Sequence, residues 1–579
     1  MQKRLPLFFS YLLAPLIRTY QWFTRYWLYI PVYYQIDRIH EEVENSVHVN
    51  SAEILDITSK NHPNQTCIVY EDKRISYNDL QQQVKCISLW LHEKGLKPGE
   101  TIGLLSDNCP EMVSIILGCN RLGIAVSLIH PSLTGKSLHA TLNVTQCKLL
   151  LVGATHSHKL KGIPMQKNRI WVFGEPGQKQ YASLGDALHT IDTNTTLSYP
   201  DVSKHQTAVY IFTSGTTGTP KACIVSNRQL YTGSLAFRFT NGLTRADTLL
   251  LFAPLCHSLG LNQLLAVISS GATCVLMRKF SVSKTWQYLQ TYPVTVLSYI
   301  GETSRFLMKK APHPVKEHAP YLKTMSGLQI SKETQTWWIE NLNVNVNELY
   351  GATESNFTLF NLNNEEGSIG WVPWFSRNQY GPRIVKKCNH TSNSTTKEAY
   401  QLVGHSTVGE MIALIPDDHN ERGFFNGYTD ARATEKKVLR NVVRTNDQWY
   451  RSGDEGYYDS RGYFYFCDRS GETFRWHGEN VSTVWVENII THHPDVTECS
   501  VYGVEIPGYA GKAGMCTLVL ANNNKKLADT HLMHHVIENL PSYAIPVFIR
   551  LSSCIEKTHT EKKIKSKLIQ EGFTLPHAS

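Results

Sequence analysis

No Cys-x-x-Cys pair occurs in this chain, although it holds 13 cysteines, scattered and odd in number. That spacing speaks against a zinc site or a disulfide framework and favours reduced thiols facing the cytosol. Charge is sparse as well: Asp, Glu, Lys and Arg make up 18% of 579 residues, and the net charge is only +8. No arginine-rich stripe or helix is present to dock in a groove, so nucleic acid is not an expected partner. A diffuse basic surplus suits an anionic membrane surface or phosphate-bearing substrates. There is no low-complexity tract and no internal repeat, and with 42% hydrophobic residues the composition is globular. A chain of this length exceeds one compact core and predicts two to four structural units.

Long apolar runs are also missing. The longest near the start covers residues 5–17, follows Lys3 and Arg4, and is broken only by Ser10 and Pro15. It is shorter than the roughly 20 residues that span hydrocarbon, and no small-x-small cleavage site follows it. After Arg18 come Tyr20, Trp22, Phe23, Tyr26, Trp27 and Tyr29, an aromatic and basic mixture suited to a headgroup boundary. The segment reads as a signal anchor or an interfacial helix, and spanning or lying flat stays open.

From about residue 50 the pattern alternates between helix and strand. Ser76 with Asp79 marks a helix start, Leu80, Val84, Ile87 and Leu91 share one helical face, and Gly95 suits its C-terminal cap. Strands are expected over 101–105, 125–129 and 148–152, with helices opening at Pro110 and Ser137. This rhythm predicts an α/β class with a largely parallel sheet covered on both faces. Past residue 440 the aromatic stretches 456–459 and 462–466 predict a hairpin, followed by a polar break and about 105 residues of tail, enough for a small α+β domain.

Four constellations carry chemistry. Ala208, Val209, Tyr210, Ile211 and Phe212 form an apolar strand that runs into Thr213, Ser214, Gly215, Thr216, Thr217, Gly218, Thr219, Pro220 and Lys221. Glycines let backbone N–H groups ring an anion, hydroxyls add donors and the lysine adds charge, so this is a phosphate-gripping loop at a strand end. It is not a Walker A loop, because Ala222 stands where a magnesium-binding hydroxyl belongs. Second, Tyr350, Gly351, Thr353 and Glu354 place a ring that can stack on a purine beside a hydroxyl and a carboxylate able to hold magnesium. Third, Asp454 can accept two hydrogen bonds from a ribose diol. Fourth, Lys562 near the C-terminus can stabilise charge developing between a carboxylate and a phosphate.

In this order the pieces resemble the adenylate-forming superfamily of acyl-CoA synthetases, from about residue 50 to 573. Residues 471–483, the run Tyr299-Ile300-Gly301-Glu302, the Gly427-Tyr428 and Ala433-Thr434-Glu435-Lys436 segments, and Glu571-Gly572-Phe573 resemble its branch of fatty acid transport proteins, also called very-long-chain acyl-CoA synthetases. The resemblance implies a membrane-associated segment over 1–48, a large adenylate-forming domain over 49–467 and a mobile C-terminal domain over 468–579. It implies ATP, Mg2+ and coenzyme A as cofactor and co-substrates, a long- or very-long-chain fatty acid as substrate, and a place at the endoplasmic reticulum or plasma membrane with the catalytic domains in the cytosol. A homo-oligomer is left open.

The same resemblance assigns roles to residues. The segment from Thr213 to Lys221 would grip phosphates, Tyr350 would stack adenine, and Glu354 with Thr353 would bind magnesium. Asp454 and Arg469 would hold ribose, Lys562 would serve adenylation, and Gly478 would line the pantetheine channel after a domain rotation. His257 would gate the passage between acyl pocket and nucleotide. Four departures from the family pattern stand out: His477 replaces a lysine, Gln329 an arginine, His559 and Glu561 a glycine and a phenylalanine, and Glu472 an aspartate. They keep alive the alternative of a non-catalytic fatty acid uptake or binding protein, alongside a ligase for a bile or branched-chain acid.

Overall fold

The computed structural model describes residues 41, 43 and 50–573, apart from 164, 175–179, 214–220, 374–380, 388–399, 418–424, 470–473, 477–478, 507–511, 522–526, 528–530, 541 and 558–562. The aromatic N-terminal segment therefore lies outside the described residues. Among the described residues no helix is long and apolar enough to cross a membrane.

Two parallel sheets organise the first 360 residues. One runs Ala182–Ser183, Ile170–Phe173, Leu149–Gly153, Thr101–Leu105, Ala125–Ile129, Thr207–Thr213, Lys221–Ser226, with only the last strand antiparallel. The other has eight strands, in the order Leu359–Asn361, Asn345–Tyr350, Thr324–Leu328, Val296–Ile300, Thr248–Leu251, Thr273–Leu276, Thr66–Tyr70, Lys73–Ser76. Their parallel strands are buried on both faces, as continuous apolar runs require. Side chains alternate between cores: Leu249 and Leu251 enter the cluster shared by both sheets, whereas Leu250 enters the one on the far side. Leu149 and Leu151 part from Leu150 and Val152 in the same way on the first sheet. Helices Pro110–Arg121 and Ser258–Ser270 carry apolar residues on nearly every side and are buried in the shared cluster.

Local signals act as expected. Helix Tyr77–Glu93 starts at Ser76, whose hydroxyl accepts from Asp79 N–H while Asp79 accepts from Ser76 N–H. Gly95 takes a φ of +75° just past its end. The strand expected over 148–152 is Leu149–Gly153, and the helix expected from Ser137 begins at Gly135. Such shifts are ordinary at element ends. Where the strands Val296–Ile300 and Thr324–Leu328 pair, Gly327 faces Tyr299, and a Cβ on Gly327 would lie 1.9 Å from the Tyr299 carbonyl oxygen. Gly327→Ala is thus expected to destabilise by about 3 kcal/mol through forced backbone displacement, read as a lowered thermal midpoint.

A seven-stranded antiparallel sheet follows, in which Gln448–Tyr458 and Tyr463–Arg469 form the expected hairpin, longer than its aromatic stretches suggested. The chain then builds a small unit with its own core: strands Val496–Glu505, Lys512–Leu520 and Phe548–Leu551, and helices Thr483–His492 and Leu532–Asn539. This unit touches the large one through helices Gly301–Lys309 and Lys332–Leu342. Arg305 donates to the Thr497 carbonyl at 2.8 Å, Lys309 to the Val496 carbonyl at 3.2 Å, and His492 meets Glu333 at 2.8 Å.

Candidate active site

The phosphate loop is rooted in a strand pair. Strands Thr207–Thr213 and Lys221–Ser226 run antiparallel with Thr213 opposite Lys221. Both ends of the loop are thereby brought to one point at the carboxyl edge of the sheet, where ligands bind in such folds. Ser214, Gly215, Thr216, Thr217 and Gly218 lie outside the described residues. Against the second strand packs the segment around Tyr428, held by Ile224 N–H to the Gly427 carbonyl (3.1 Å) and Thr429 N–H to the Ala222 carbonyl (3.0 Å). The Lys221 ammonium sits 5.8 Å from the centre of the Tyr428 ring.

The Tyr428 side chain lies near Glu354 and Thr213. Burial followed by the Glu354 charge pushes its ionisation far up, so its hydroxyl keeps its proton. Burial would raise the Glu354 carboxyl as well. The Lys437 ammonium 3.4 Å away, its own N–H and the Tyr428 hydroxyl outweigh that and hold it below the ordinary carboxylate range. A buried carboxylate is thus held below its ordinary range near the root of the expected phosphate loop. Its neighbour Thr353 lies 3.2 Å, hydroxyl to hydroxyl, from Ser258, the first residue of helix Ser258–Ser270. His257 is the N-cap of that helix, and its ring stacks on His130 with centroids 5.5 Å apart. Thr213, Lys221, Tyr428, Glu354, Thr353 and His257 are thereby joined through a chain of contacts drawn from both sheets.

The residues expected to hold the nucleoside also come together. Tyr350 ends the strand Asn345–Tyr350, and its hydroxyl donates to Asp454 Oδ2 at 2.7 Å across 104 positions of sequence. Asp454 follows Gly453, whose φ is +77°, and its N–H donates to the Ser452 hydroxyl at 3.0 Å. In the hairpin ladder Asp454 faces Arg469 directly. The Arg469 side chain, Gly478 and Lys562 lie outside the described residues, as do the altered His477, Glu472, His559 and Glu561. The flanks of residues 558–562 are described: Lys557 and Lys563 form a β-bridge, and Ile564 N–H donates to the Glu556 carbonyl at 2.9 Å.

Sequence reasoning missed two supporting groups. Lys437 donates to the Ser452 carbonyl at 2.9 Å, pairs with Glu354 and lies 5.6 Å from the Tyr450 ring centre. One position past the Ala433–Lys436 segment, it carried no signal of its own. Glu348 is buried beneath the turn that holds Gln329, accepting from Gln329 N–H, from Ile330 N–H at 3.3 Å and from the Tyr299 hydroxyl. Gln329 itself takes a φ of +63°.

Burial pushes the Glu348 carboxyl up to about 8, against those three hydrogen bonds. A carboxyl raised in the folded state contributes stability that is full below its unfolded value of 4.5 and is lost as pH rises through about 8. Between those values the slope is expected to approach about 1.4 kcal/mol per pH unit. Glu348→Gln should flatten that part of the urea-midpoint profile while keeping the fold, because its amide can still accept from Gln329 and donate to Tyr299.

Residues 55–379 match the AMP-binding enzyme family, and residues 485–562 match the AMP-binding enzyme C-terminal domain. The mouse long-chain fatty acid transport protein 6 is 32% identical over 526 residues, covering 89% of this chain and 84% of that protein. A medium/long-chain-fatty-acid–CoA ligase of Mycobacterium tuberculosis, FadD6, is 29% identical, covering 87% and 83%. Among solved structures, the anthranilate CoA ligase AuaEII with anthranoyl-AMP superposes with a TM-score of 0.77 at 21% identity, covering 91% of this chain and 98% of that one. ATP-bound MatB from Rhodopseudomonas palustris gives 0.74 at 20%, covering 90% and 99%. At these identities the two structures establish the fold alone.

Proposed function

The chain belongs to the AMP-binding enzymes, in the branch of the long-chain fatty acid transport proteins, and we propose that it is an ATP-dependent ligase making acyl-CoA from long- or very-long-chain fatty acids. In the first step the fatty carboxylate attacks the α-phosphorus of magnesium ATP, giving acyl-adenylate and pyrophosphate. In the second the thiol of coenzyme A attacks the acyl carbon and AMP leaves with the bonding pair. Both steps depend on positioning and on neutralising charge at phosphoryl and carbonyl oxygens. One observation carries the reading: Glu354, buried beside Lys437 and held below the ordinary carboxylate range, neighbours Tyr428, whose segment packs on the strand that ends the phosphate loop.

In this reading Glu354 and Thr353 would hold Mg2+, which would supply charge to screen the phosphates. The loop from Thr213 to Lys221 holds those phosphates, and Lys562 enters for adenylation. Tyr350 lies along the adenine, and its bond to Asp454 fixes the carboxylate that takes the ribose diol with Arg469. Thioester formation traps the acid, which would couple the ligase to uptake, as the names of the transport-protein relatives suggest. The aromatic and basic residues of 1–36 would attach the enzyme to a membrane, that of the endoplasmic reticulum or the cell surface.

The test is direct. Purified full-length protein is incubated with ATP, Mg2+ and coenzyme A and, in parallel, palmitate, a very-long-chain acid and a bile acid, with Lys562→Ala alongside, and acyl-CoA is read by mass spectrometry. Product from the straight-chain acids, reduced at least about 100-fold by the substitution, is expected. Absence of product from any acid with ATP binding intact would end the ligase reading in favour of a binding or uptake protein. Full product from the variant would remove Lys562 from the mechanism, and product from the bile acid alone would overturn the fatty substrate.

A further inference from the structure

Where the two parallel sheets present their carboxyl edges to each other, three metal-ligating side chains from distant parts of the chain converge. His130 follows strand Ala125–Ile129 of the first sheet, and Cys256 and His257 follow strand Thr248–Leu251 of the second. One ligand atom from each lies within 4.8 Å of the other two. Four-coordinate zinc places nitrogen and sulfur ligands roughly 3.3–3.6 Å apart, as its bond lengths of about 2.0–2.1 and 2.3 Å require. The three side chains are about a side-chain adjustment away from that spacing.

The turn carrying two of the ligands is rigid. Asn108 accepts from Leu255 N–H at 2.8 Å and donates to the Ala253 and Met277 carbonyls, both at 3.1 Å. His257 N–H donates to the Pro254 carbonyl at 3.0 Å. A Cβ on Gly260 would lie 2.4 Å from that same carbonyl oxygen, so the helix start sits hard against the turn. His130 is oriented by Ser132, whose hydroxyl lies 2.8 Å and whose N–H lies 3.1 Å from Nδ1. Because Nδ1 accepts from that N–H, the contact fixes the ring while leaving the other ring nitrogen turned away from Ser132.

We propose that His130, Cys256 and His257 form a three-ligand site for a soft divalent cation of the zinc class, and that its occupancy, by pinning His257 next to Ser258 and Thr353, inhibits the ligase. A thiolate with two imidazoles selects zinc, cobalt or copper over magnesium and calcium, so the site does not compete for the ion that accompanies ATP. Binding releases the Cys256 thiol proton to solvent as the S–metal bond forms. The bound ion would pin the His257 ring and fasten the two sheet edges together beside Thr353 and Ser258. Metal binding stands independently of the ligase reading; the inhibition rests on it.

Cobalt(II) titrated into chelator-stripped full-length protein tests the site, because a cobalt–thiolate bond gives near-ultraviolet charge-transfer absorption. One equivalent of this band is expected, absent in Cys256→Ser, weakened at least about tenfold in apparent affinity in His130→Asn, and retained in Cys554→Ser, which removes an exposed thiol. A band unchanged in both ligand variants, or lost in Cys554→Ser, would overturn the site. In the acyl-CoA assay zinc should inhibit the unmodified enzyme and lose its effect in His130→Asn. Equal inhibition of the two would overturn inhibition through this site. His130 is partly exposed, so its variant supplies the answer even where Cys256→Ser does not fold.

Discussion

Glu354→Gln is expected to lower the rate of acyl-adenylate formation by roughly 10²–10³-fold, the loss that follows removal of one preorganised charge-stabilising group. Glutamine keeps the shape, but it offers no charge to Mg2+. Pyrophosphate–ATP exchange measured against Mg2+ concentration should show the midpoint moving upward together with the fall in rate. The competing account is structural, since Lys437 pairs with the same carboxylate. Lys437 keeps the Ser452 carbonyl and the Tyr450 ring as partners, and its side chain is 25% exposed, so losing one charge there should lower the thermal midpoint only slightly. A large drop in thermal midpoint with an unchanged Mg2+ midpoint would assign Glu354 to the scaffold and sink its role as a metal ligand.

That carboxylate was legible in the sequence, but its surroundings were not. The parallel strands announced themselves through short β-branched runs, and Ser76 with Asp79 marked a helix start, because these signals are local. Tyr350 and Asp454 could each be named from their motifs, yet the hydrogen bond between them depends on how two sheets pack. Glu348 lay in a short strand of mixed polarity, Asn345–Tyr350, and only folding brings Tyr299, Gln329 and Ile330 onto its oxygens. The antiparallel strands Arg383–Lys387, Tyr400–Leu402 and Gly409–Ile415 gave no readable pattern. They are short, and their order is set by pairing with the distant Gln448–Tyr458. His130 carried no motif and gained meaning only beside Cys256 and His257.

Glu487→Ala should unfold the C-terminal unit at markedly lower denaturant and, with it, abolish adenylation. Glu487 accepts from Lys563 at 2.9 Å, from Lys565 at 3.0 Å and from Val501 N–H at 2.8 Å. Burial would raise its carboxyl, but the two ammonium groups hold it below the usual range, and its charge in turn keeps Lys563 protonated despite burial. Removing the carboxylate leaves two enclosed cations facing each other, a loss of about 3–5 kcal/mol for a buried pair broken on one side. Lys565 also donates to Thr483, which bonds to Asp468 at the end of the hairpin, and Glu302 and Arg305 of the large unit face the same cluster. The network fixes the chain on the C-terminal side of Lys562, so it couples stability to the placement of the proposed adenylation lysine. An apolar replacement separates the two effects. Glu487→Leu combined with Lys563→Met and Lys565→Met should recover most of the stability, since well-packed apolar groups can substitute for a buried ionic cluster. If adenylation stays at least about tenfold low in that stable variant while thioester formation from supplied acyl-adenylate is spared, the ion cluster positions the lysine. Full recovery of both half-reactions would show that it serves only folding.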